Sequence, residues 1–297
     1  MPETTAHLTP QTGLIPAINA WEIYLYDQGR SPNTVKAFLS DVRLLIEYLP
    51  PDRSLGAVTT ADLNSFLHWL ENERGVPCSP KSLARRVTAV KSFFRWLQKG
   101  GVLIVDPAEK VVQRSVLSPL PEVLSDSEIE AVLLAADRHR RETRPDARPY
   151  ALLALLLATG IKKSECLGIH INHVDLQDPA QPVLFIRYAS PANRYKERKL
   201  TLPEEWIPAY EEYLGQYDPT DRLFPWSPRR LEYLLEDIGK EAGLPKHLSF
   251  DMCRWTSALQ DYQNNVEPDK IRQKLGISKI QWREINLKLR QLSGRTE

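Results

Sequence analysis

Apolar residues recur every three or four positions through the first third of the chain, which is the spacing of an amphipathic helix. Four segments show this period, and each is bounded by helix start or stop signals such as Ser-Pro or a proline pair. These four helices predict a small all-helical domain over residues 15–102, preceded by a flexible N-terminus, residues 1–14. The predicted helices are 17–27, 34–49, 61–74 with Thr60 as its cap, and one opening at Ser79-Pro80.

The fourth helix has two contrasting faces. One face is apolar and is predicted to be core. The apolar residues are Leu83, Val87, Val90, Phe94 and Leu97. Turning the helix to its other side, at about 100° per residue, collects cations and small hydroxyl side chains. They are Lys81, Arg85, Thr88, Ser92, Arg95 and Lys99, with Lys91 at the border. Together with the nearby Arg86 they are called the α4 basic face below, α4 being this fourth helix.

No acidic residue lies between Glu73 and Asp106, so the basic face has no acid of its own helix to balance it. Solvated helix faces usually mix acids with bases, because pairs of opposite charge support the helix. Cations interspersed with small hydroxyl residues favour contact with phosphates and entry into a groove. We interpret the face as a nucleic-acid contact, with an ordinary solvated surface as the alternative.

A segment rich in proline and valine, residues 103–121, has little helical period and is predicted to be a linker. After it, Ser125 and Glu128 form a capping-box pattern at the start of a helix over 127–138. A strongly apolar helix over 145–159 follows and ends at Gly160. The segments 183–188 and 198–202 predict a β-hairpin. Further helices are predicted over 206–214, 228–242, 250–264, 270–275 and 279–292.

Composition is typical of a globular protein, with 42% hydrophobic and 26% charged residues and a net charge of +1. The first residues lack the pattern of a signal peptide, and the longest apolar run, 150–158, is too short to span a bilayer. We therefore expect a cytoplasmic, nucleoid-associated protein without membrane contact. The three cysteines are far apart and have no metal-binding spacing, so neither a disulfide framework, nor a metal site, nor a cofactor is expected.

Four segments resemble conserved boxes of the tyrosine recombinase, or phage integrase, family. ATGIKKSECLGIHINHVDL (158–176) resembles its ATG-hydrophobic-R-x-SEL-x-L box, and FDMCRWTSAL (250–259) its H-x-x-R-H box. LGI (275–277) stands where the family has L-G-H, and PANRYKERKLTL (191–202) resembles its lysine-bearing hairpin. The order and spacing agree, and the N-terminal region resembles the family's four-helix core-binding domain.

The resemblance implies a mainly α fold with two domains that clamp duplex DNA. The first would be a four-helix, SAM-like core-binding domain, and the second, residues 122–297, a mixed α+β integrase-type catalytic domain with a small hairpin. Double-stranded DNA is the implied partner, with an active recombinase or a second copy of the chain as further candidates. Lys162, Lys196 and Arg254 would then join the α4 basic face in contacting DNA.

The family cleaves DNA with a tyrosine nucleophile, which forms a phosphotyrosine while arginines and histidines stabilise the phosphorane and a lysine protonates the leaving oxygen. These roles require an ionisable hydroxyl and fixed donors around the phosphate. Here the first arginine position is Lys162, which keeps the charge but loses the planar two-pronged donor. The hairpin lysine position falls on Asn193, although Lys196 or Arg194 is an alternative.

The residues at the remaining positions differ even more from those of the family. The first histidine is Asp251, the second is Ile277, and only the second arginine survives, as Arg254. The nucleophile position is Asn286, and the last tyrosine in the chain is Tyr262. No catalytic set is intact, so the sequence predicts a catalytically inactive DNA-binding homologue that acts as an accessory or regulatory factor in recombination or integration. The alternatives are an architectural subunit whose partner supplies the tyrosine, and a protein-interaction module without DNA binding.

Overall fold

A computed structural model describes residues 7–76, 78–112, 119–178 and 181–294 and gives the chain as two compact units, Met1–Pro119 and Leu120–Glu297. The first unit contains the four helices that the sequence predicts, with ends that differ by a few residues. They are α1 (Leu14–Asp27), α2 (Pro32–Tyr48), α3 (Thr60–Asn72) and α4 (Pro80–Lys99).

Local capping sets the helix starts. Ser79 accepts a hydrogen bond from the Ser82 backbone at the start of α4, and Pro80 takes the first helical position, as predicted. The cap of α3 was predicted one residue too late. Thr59, not Thr60, accepts from the Asp62 backbone and completes a capping box with that residue.

The core of the first unit is rich in aromatic side chains. Trp21 of α1 lies 5.2 Å from Phe93 of α4, ring centre to ring centre and edge to face, a favourable arrangement for two aromatic rings. The apolar face of α4 packs into this core through Val87, Val90, Phe94 and Leu97, while Leu83 packs at its margin.

Residues C-terminal to α4 extend the core of the first unit. Leu103, Ala108 and Val111 are buried in it, so the first part of the predicted linker is attached to this core through these three side chains. The rest of that linker falls largely on residues 113–118, outside the described residues.

The second unit is mainly helical and carries one small antiparallel sheet. Its helices are α5 (Asp126–Arg138), α6 (Arg148–Thr159), α7 (Lys163–Cys166), α8 (Trp206–Tyr217), α9 (Pro228–Glu241), α10 (Phe250–Gln263), α11 (Pro268–Lys274) and α12 (Lys279–Leu292). The strands are β1 (Val174–Asp175), β2 (Val183–Ile186) and β3 (Arg198–Thr201), in the order β1-β2-β3. The predicted hairpin is β2-β3, in which Leu184 pairs with Leu200.

Two apolar clusters hold the second unit together. The larger surrounds α6, which is buried on nearly every side, and the indole Nε1 of Trp206 donates to the Ala151 carbonyl at 2.8 Å within it. The smaller cluster joins α10, α11 and α12 and includes Leu275, Ile277 and Leu289. The mainly α class with a small sheet is thus as predicted. Among the described residues, no helix is long and apolar enough to cross a membrane.

Candidate functional site

Only some side chains of the α4 basic face are exposed. Lys81, Arg85, Thr88, Arg95 and Lys99 are exposed, whereas Arg86, Lys91 and Ser92 are half-buried. Thr88 also donates its hydroxyl to the Ala84 carbonyl one turn earlier. The exposed members follow one side of the helix, as the periodicity predicts.

Arg85 and Arg86 are anchored by one buried acid. Asp41 of α2 has a side chain only 2% exposed, and its Oδ2 accepts from Arg85 Nη1 at 2.6 Å. Arg86 Nε lies 3.8 Å from Asp41 Oδ1, and Arg86 Nη1 donates to Cys78 Sγ at 2.8 Å. Burial raises the pKa of Asp41, although the two arginines oppose the rise. Asp41 thus balances part of the positive charge that appears uncompensated within the α4 sequence.

Three of the four remaining cations of the face differ from Arg85 and Arg86. No hydrogen bond or ion pair is found for Lys81, Arg95 or Lys99 among the described residues of the first unit. Lys91 Nζ, by contrast, lies 3.4 Å from the Glu109 carbonyl oxygen. Lys81, Arg95 and Lys99 are therefore the side chains best placed to meet a ligand without first breaking a contact of the fold.

In the second unit, the site begins where α6 ends. Gly160 terminates α6 in the left-handed conformation, with φ of 59°, and a Cβ added there would lie 3.2 Å from Ser257 Oγ. The chain then turns into the short helix α7, where the Lys162 backbone donates to Glu165 Oε2 at 2.9 Å. This turn brings Lys162 and Glu165 together at the end of a buried helix.

Glu165 is the buried acid of the second unit. Arg198 of β3 binds both of its carboxylate oxygens, with Nη1 to Oε1 at 3.0 Å and Nη2 to Oε2 at 2.9 Å. Tyr188 also donates its hydroxyl to Glu165 Oε1. Burial raises the pKa of Glu165, but the bonds and charge of Arg198 outweigh it and lower that pKa to about 2. Burial and the bond to Glu165 raise the pKa of Tyr188 to about 12, so its phenol stays protonated.

Arg254 and Lys162 are bound to backbone carbonyls. Arg254 of α10 donates from Nη1 to Gly160 O at 2.5 Å and from Nη2 to Leu275 O at 2.7 Å. Lys162 Nζ lies 3.4 Å from Gly276 O. These oxygens lie at or just beyond the C-terminal ends of α6 and α11, where helices lack internal donors. Both cations therefore have a structural role, and burial lowers the pKa of each, that of Arg254 to about 10.

The candidates for the family's hairpin lysine position lie in different surroundings in the turn. Lys196 is half-buried, and its Nζ donates to Asn193 Oδ1 at 2.8 Å, so these two candidates are in contact. Arg194 is exposed. The positive charge of Lys196 helps to lower the pKa of Lys162, after burial, so the turn lies within electrostatic reach of that residue.

The other three candidate positions lie in different surroundings. Asp251 is exposed in the first turn of α10, where the helix dipole favours an acid. Ile277 is buried in the cluster of α10, α11 and α12. Asn286 is half-buried on α12, the helix that packs against α10. None of these side chains supplies an ionisable hydroxyl.

The sequence-based site omitted Arg198 and Tyr188. The K-x-R pattern of the hairpin contained Arg198, but nothing in the sequence indicated that its partner would be Glu165, 33 residues earlier.

A groove of about 1130 Å³ also opens beside Lys162 and Arg254 and extends to α9, where Arg229 Nε donates to the Tyr233 hydroxyl. In the described ranges, no group of three His, Cys, Asp or Glu side chains could hold a metal.

Fold and site together define a two-unit helical protein whose second unit combines a cation cluster with a β-hairpin. Two family profiles match it. The phage integrase N-terminal SAM-like domain covers residues 18–101, and the phage integrase family covers residues 122–285. The chain belongs to the phage integrase family.

Among similar proteins, tyrosine recombinase XerD of Listeria innocua serovar 6a is 24% identical over 275 residues, 88% of this chain and 89% of the relative. Tyrosine recombinase XerC of Mycobacterium sp. (strain JLS) is 32% identical over 163 residues, which are 53% of each chain. This second match therefore spans about half the length of the relative.

Solved structures at low identity show the same fold. A lambda integrase dimer bound to a COC′ core site has a TM-score of 0.72 at 14% identity, covering 92% of this chain and 77% of that one. XerH site-specific recombinase bound to difH substrate, a pre-cleavage complex, has a TM-score of 0.67 at 21% identity, covering 84% and 75%.

Proposed function

We propose that this chain is a catalytically inactive member of its family that binds duplex DNA and acts as an accessory or regulatory factor in recombination or integration, associated with the nucleoid in the cytoplasm. The observation that carries the DNA-binding part is the exposed cations of the α4 basic face. Lys81, Arg95 and Lys99 present positive charge along one side of a rigid helix, with the hydroxyl of Thr88 between them. Such a surface suits phosphate contacts, which position a protein on a duplex.

The named structures of similar fold support the same ligand. Lambda integrase is bound to a core site and XerH to its difH substrate. In this chain, Lys162, Lys196 and Arg254 would add a second set of phosphate contacts. Arg254 uses two of the five N–H donors of a guanidinium for carbonyls, so donors remain for a phosphate oxygen. A second copy of the chain or an active recombinase would share the DNA.

The inactivity rests on a missing nucleophile. Asn286 is an amide, and Tyr262 is the last tyrosine of the chain. Tyr188 is held as a hydrogen-bond donor to Glu165, with its pKa raised to about 12, so it is a poor nucleophile. Without a nucleophile the covalent pathway is lost, and enzymes that cut phosphodiesters lower the barrier by about 20 kcal/mol.

The first experiment measures duplex binding against salt. Charge reversal of Arg85 would leave an acid beside buried Asp41, so Arg85 is a poor probe of binding. The better variant replaces Lys81, Arg95 and Lys99 by Gln. We expect weaker binding and a salt slope shallower by about three, roughly one for each phosphate that is no longer neutralised.

A matched control removes three exposed cations elsewhere in the first unit, Arg30, Arg43 and Lys110, by the same substitution to Gln. It should bind like the wild-type chain. Equal effects of the two triple variants would mean that α4 is not the contact surface.

The second experiment tests cleavage. A nicked duplex that traps covalent intermediates should give no adduct with this chain, whereas an active tyrosine recombinase in parallel should give one. An adduct would overturn the proposed inactivity.

A mixing experiment separates the proposed role from the architectural alternative. If a partner donates the tyrosine, strand exchange should require both this chain and an active homologue. An accessory factor should only change the rate of the homologue. A flat titration with random-sequence duplex at low salt would instead favour the protein-interaction module.

A further inference from the structure

One aromatic side chain of the hairpin turn stands out by its exposure. Tyr195 is 73% exposed, compared with 48% for Tyr26, 42% for Tyr233 and 36% for Tyr217. A large ring left in water gives up the free energy that its burial would contribute to folding. An exposed aromatic in a charged setting is a typical element of a binding surface.

Hydrogen bonds hold the backbone around Tyr195. Residues Pro191–Lys196 form a 3₁₀ turn, and the Glu197 backbone donates to the Arg194 carbonyl at 2.9 Å. The side chain of Glu197 in turn accepts from the Tyr188 backbone at 2.9 Å. These bonds restrict the backbone of the turn before binding, which lowers the part of the association cost that comes from ordering the backbone.

One cation lies against the ring. Lys196 Nζ lies 5.1 Å from the centre of the Tyr195 ring, within the range of a cation–π contact. The Lys196 carbonyl accepts from Arg198 Nη1 at 3.2 Å, and Arg198 binds Glu165. The turn is thus joined by direct contacts to the cluster that contains Lys162.

We propose that Tyr195 stacks on a nucleobase of the DNA that the second unit binds. This inference rests on the proposed DNA binding and adds a base contact to it. Cations would hold the phosphates while the ring meets a base, which is the combination that nucleic-acid grooves use for stacking. Bases of intact duplex are already stacked on one another, so Tyr195 acts where a step is opened or a base is unpaired.

The test compares two random-sequence duplexes, one fully paired and one with a central mismatched bubble, over a range of salt. The wild-type chain should bind the bubble more tightly. Tyr195→Ala should weaken bubble binding about tenfold and leave the salt slope unchanged, because no charge is removed. Tyr195→Phe keeps the ring and should bind like the wild type, as should Tyr26→Ala, which removes an exposed tyrosine of the first unit.

The outcomes separate the two proposals. If the wild-type chain binds neither duplex, the proposed function fails. If it binds both and Tyr195→Ala binds the bubble equally well, the stacking inference fails while DNA binding stands. If Tyr195→Ala also changes the salt slope and Tyr195→Phe behaves like it, the residue supports the turn rather than a base, and the inference is overturned.

Discussion

The two units use their cations in opposite ways. On α4, Lys81, Arg95 and Lys99 are exposed on the surface of a helix whose other face forms the core. In the second unit, Lys162 and Arg254 reach backbone carbonyls beyond the ends of two helices. The first set is available to a ligand, and the second set is part of the fold.

This difference shows that a cation at a candidate site can serve the fold as well as a ligand. Arg254 satisfies the carbonyls of Gly160 and Leu275, so its loss would damage packing even in a chain that never cuts DNA. Ile277, by contrast, is buried among apolar side chains. Retention of a family arginine is therefore weak evidence of catalysis. If the contrast holds, the second unit depends on Lys162 and Arg254 for stability, whereas the first does not depend on Lys81, Arg95 and Lys99.

The largest effect is expected at Glu165. Glu165→Gln removes the charge opposite Arg198, whose side chain is only 9% exposed, and leaves a buried cation without its counter-ion. We expect a loss of about 3–5 kcal/mol in the free energy of unfolding of the second unit. Urea unfolding measures it, and Glu267→Gln, which breaks an exposed pair with Lys270, should have much less effect. Equal losses in both variants would contradict the prediction.

Acid should weaken the same pair. The pKa of Glu165 is lowered from 4.5 to about 2 in the folded chain, so its stabilisation is fully present above about pH 4.5. It is lost as the pH falls from about 4.5 to about 2, and amounts to roughly 3 kcal/mol. Across this pH range, the free energy of unfolding should fall more steeply for the wild type than for Glu165→Gln. Parallel curves of this free energy against pH would argue against the pair.

Gly276 should tolerate no side chain. Its φ is +58°, and a Cβ would lie 2.5 Å from Arg198 Nη1, so Gly276→Ala combines backbone strain with a clash. We expect a loss of about 3 kcal/mol. Gly243→Ala in the same unit has similar strain, with φ of +72°, but open space, and should cost about 1 kcal/mol. Thermal unfolding of both variants measures the difference, and a smaller loss at Gly276 would contradict it.

Arg254→Gln should lower stability by about 1–3 kcal/mol, because two backbone carbonyls lose their donors. Urea unfolding of the variant at neutral pH measures this loss. The same variant should also reduce DNA affinity if the residue contacts a phosphate. Unchanged stability would mean that the two carbonyls find other donors.

The smallest effect on stability is expected on α4. Replacing Lys81, Arg95 and Lys99 by Gln should change the free energy of unfolding of the first unit by no more than about 0.5 kcal/mol. Asp41→Asn, which leaves Arg85 and Arg86 without their buried partner, should cost clearly more. If the triple variant unfolds more easily than Asp41→Asn, the free cations of α4 also have a structural role.

Most of the secondary structure could be predicted because its causes are local. The start of α4 at Ser79-Pro80, the capping box at Ser125 and the end of α6 at Gly160 are each set by residues within one helical turn. The four-residue helix α7 was not predicted, because so short an element has no period to detect. The absence of a tyrosine after Tyr262 can likewise be read from the sequence alone.

Which charged side chains have a partner was decided only by the tertiary structure. Asp41 lies 44 residues before Arg85, and Glu165 lies 33 residues before Arg198, so neither pair shows in the periodicity of one helix. The sequence by itself determined most of the helices and their apolar faces. The partners of the cations came from tertiary packing, because a contact between distant segments depends on how whole helices are placed against each other.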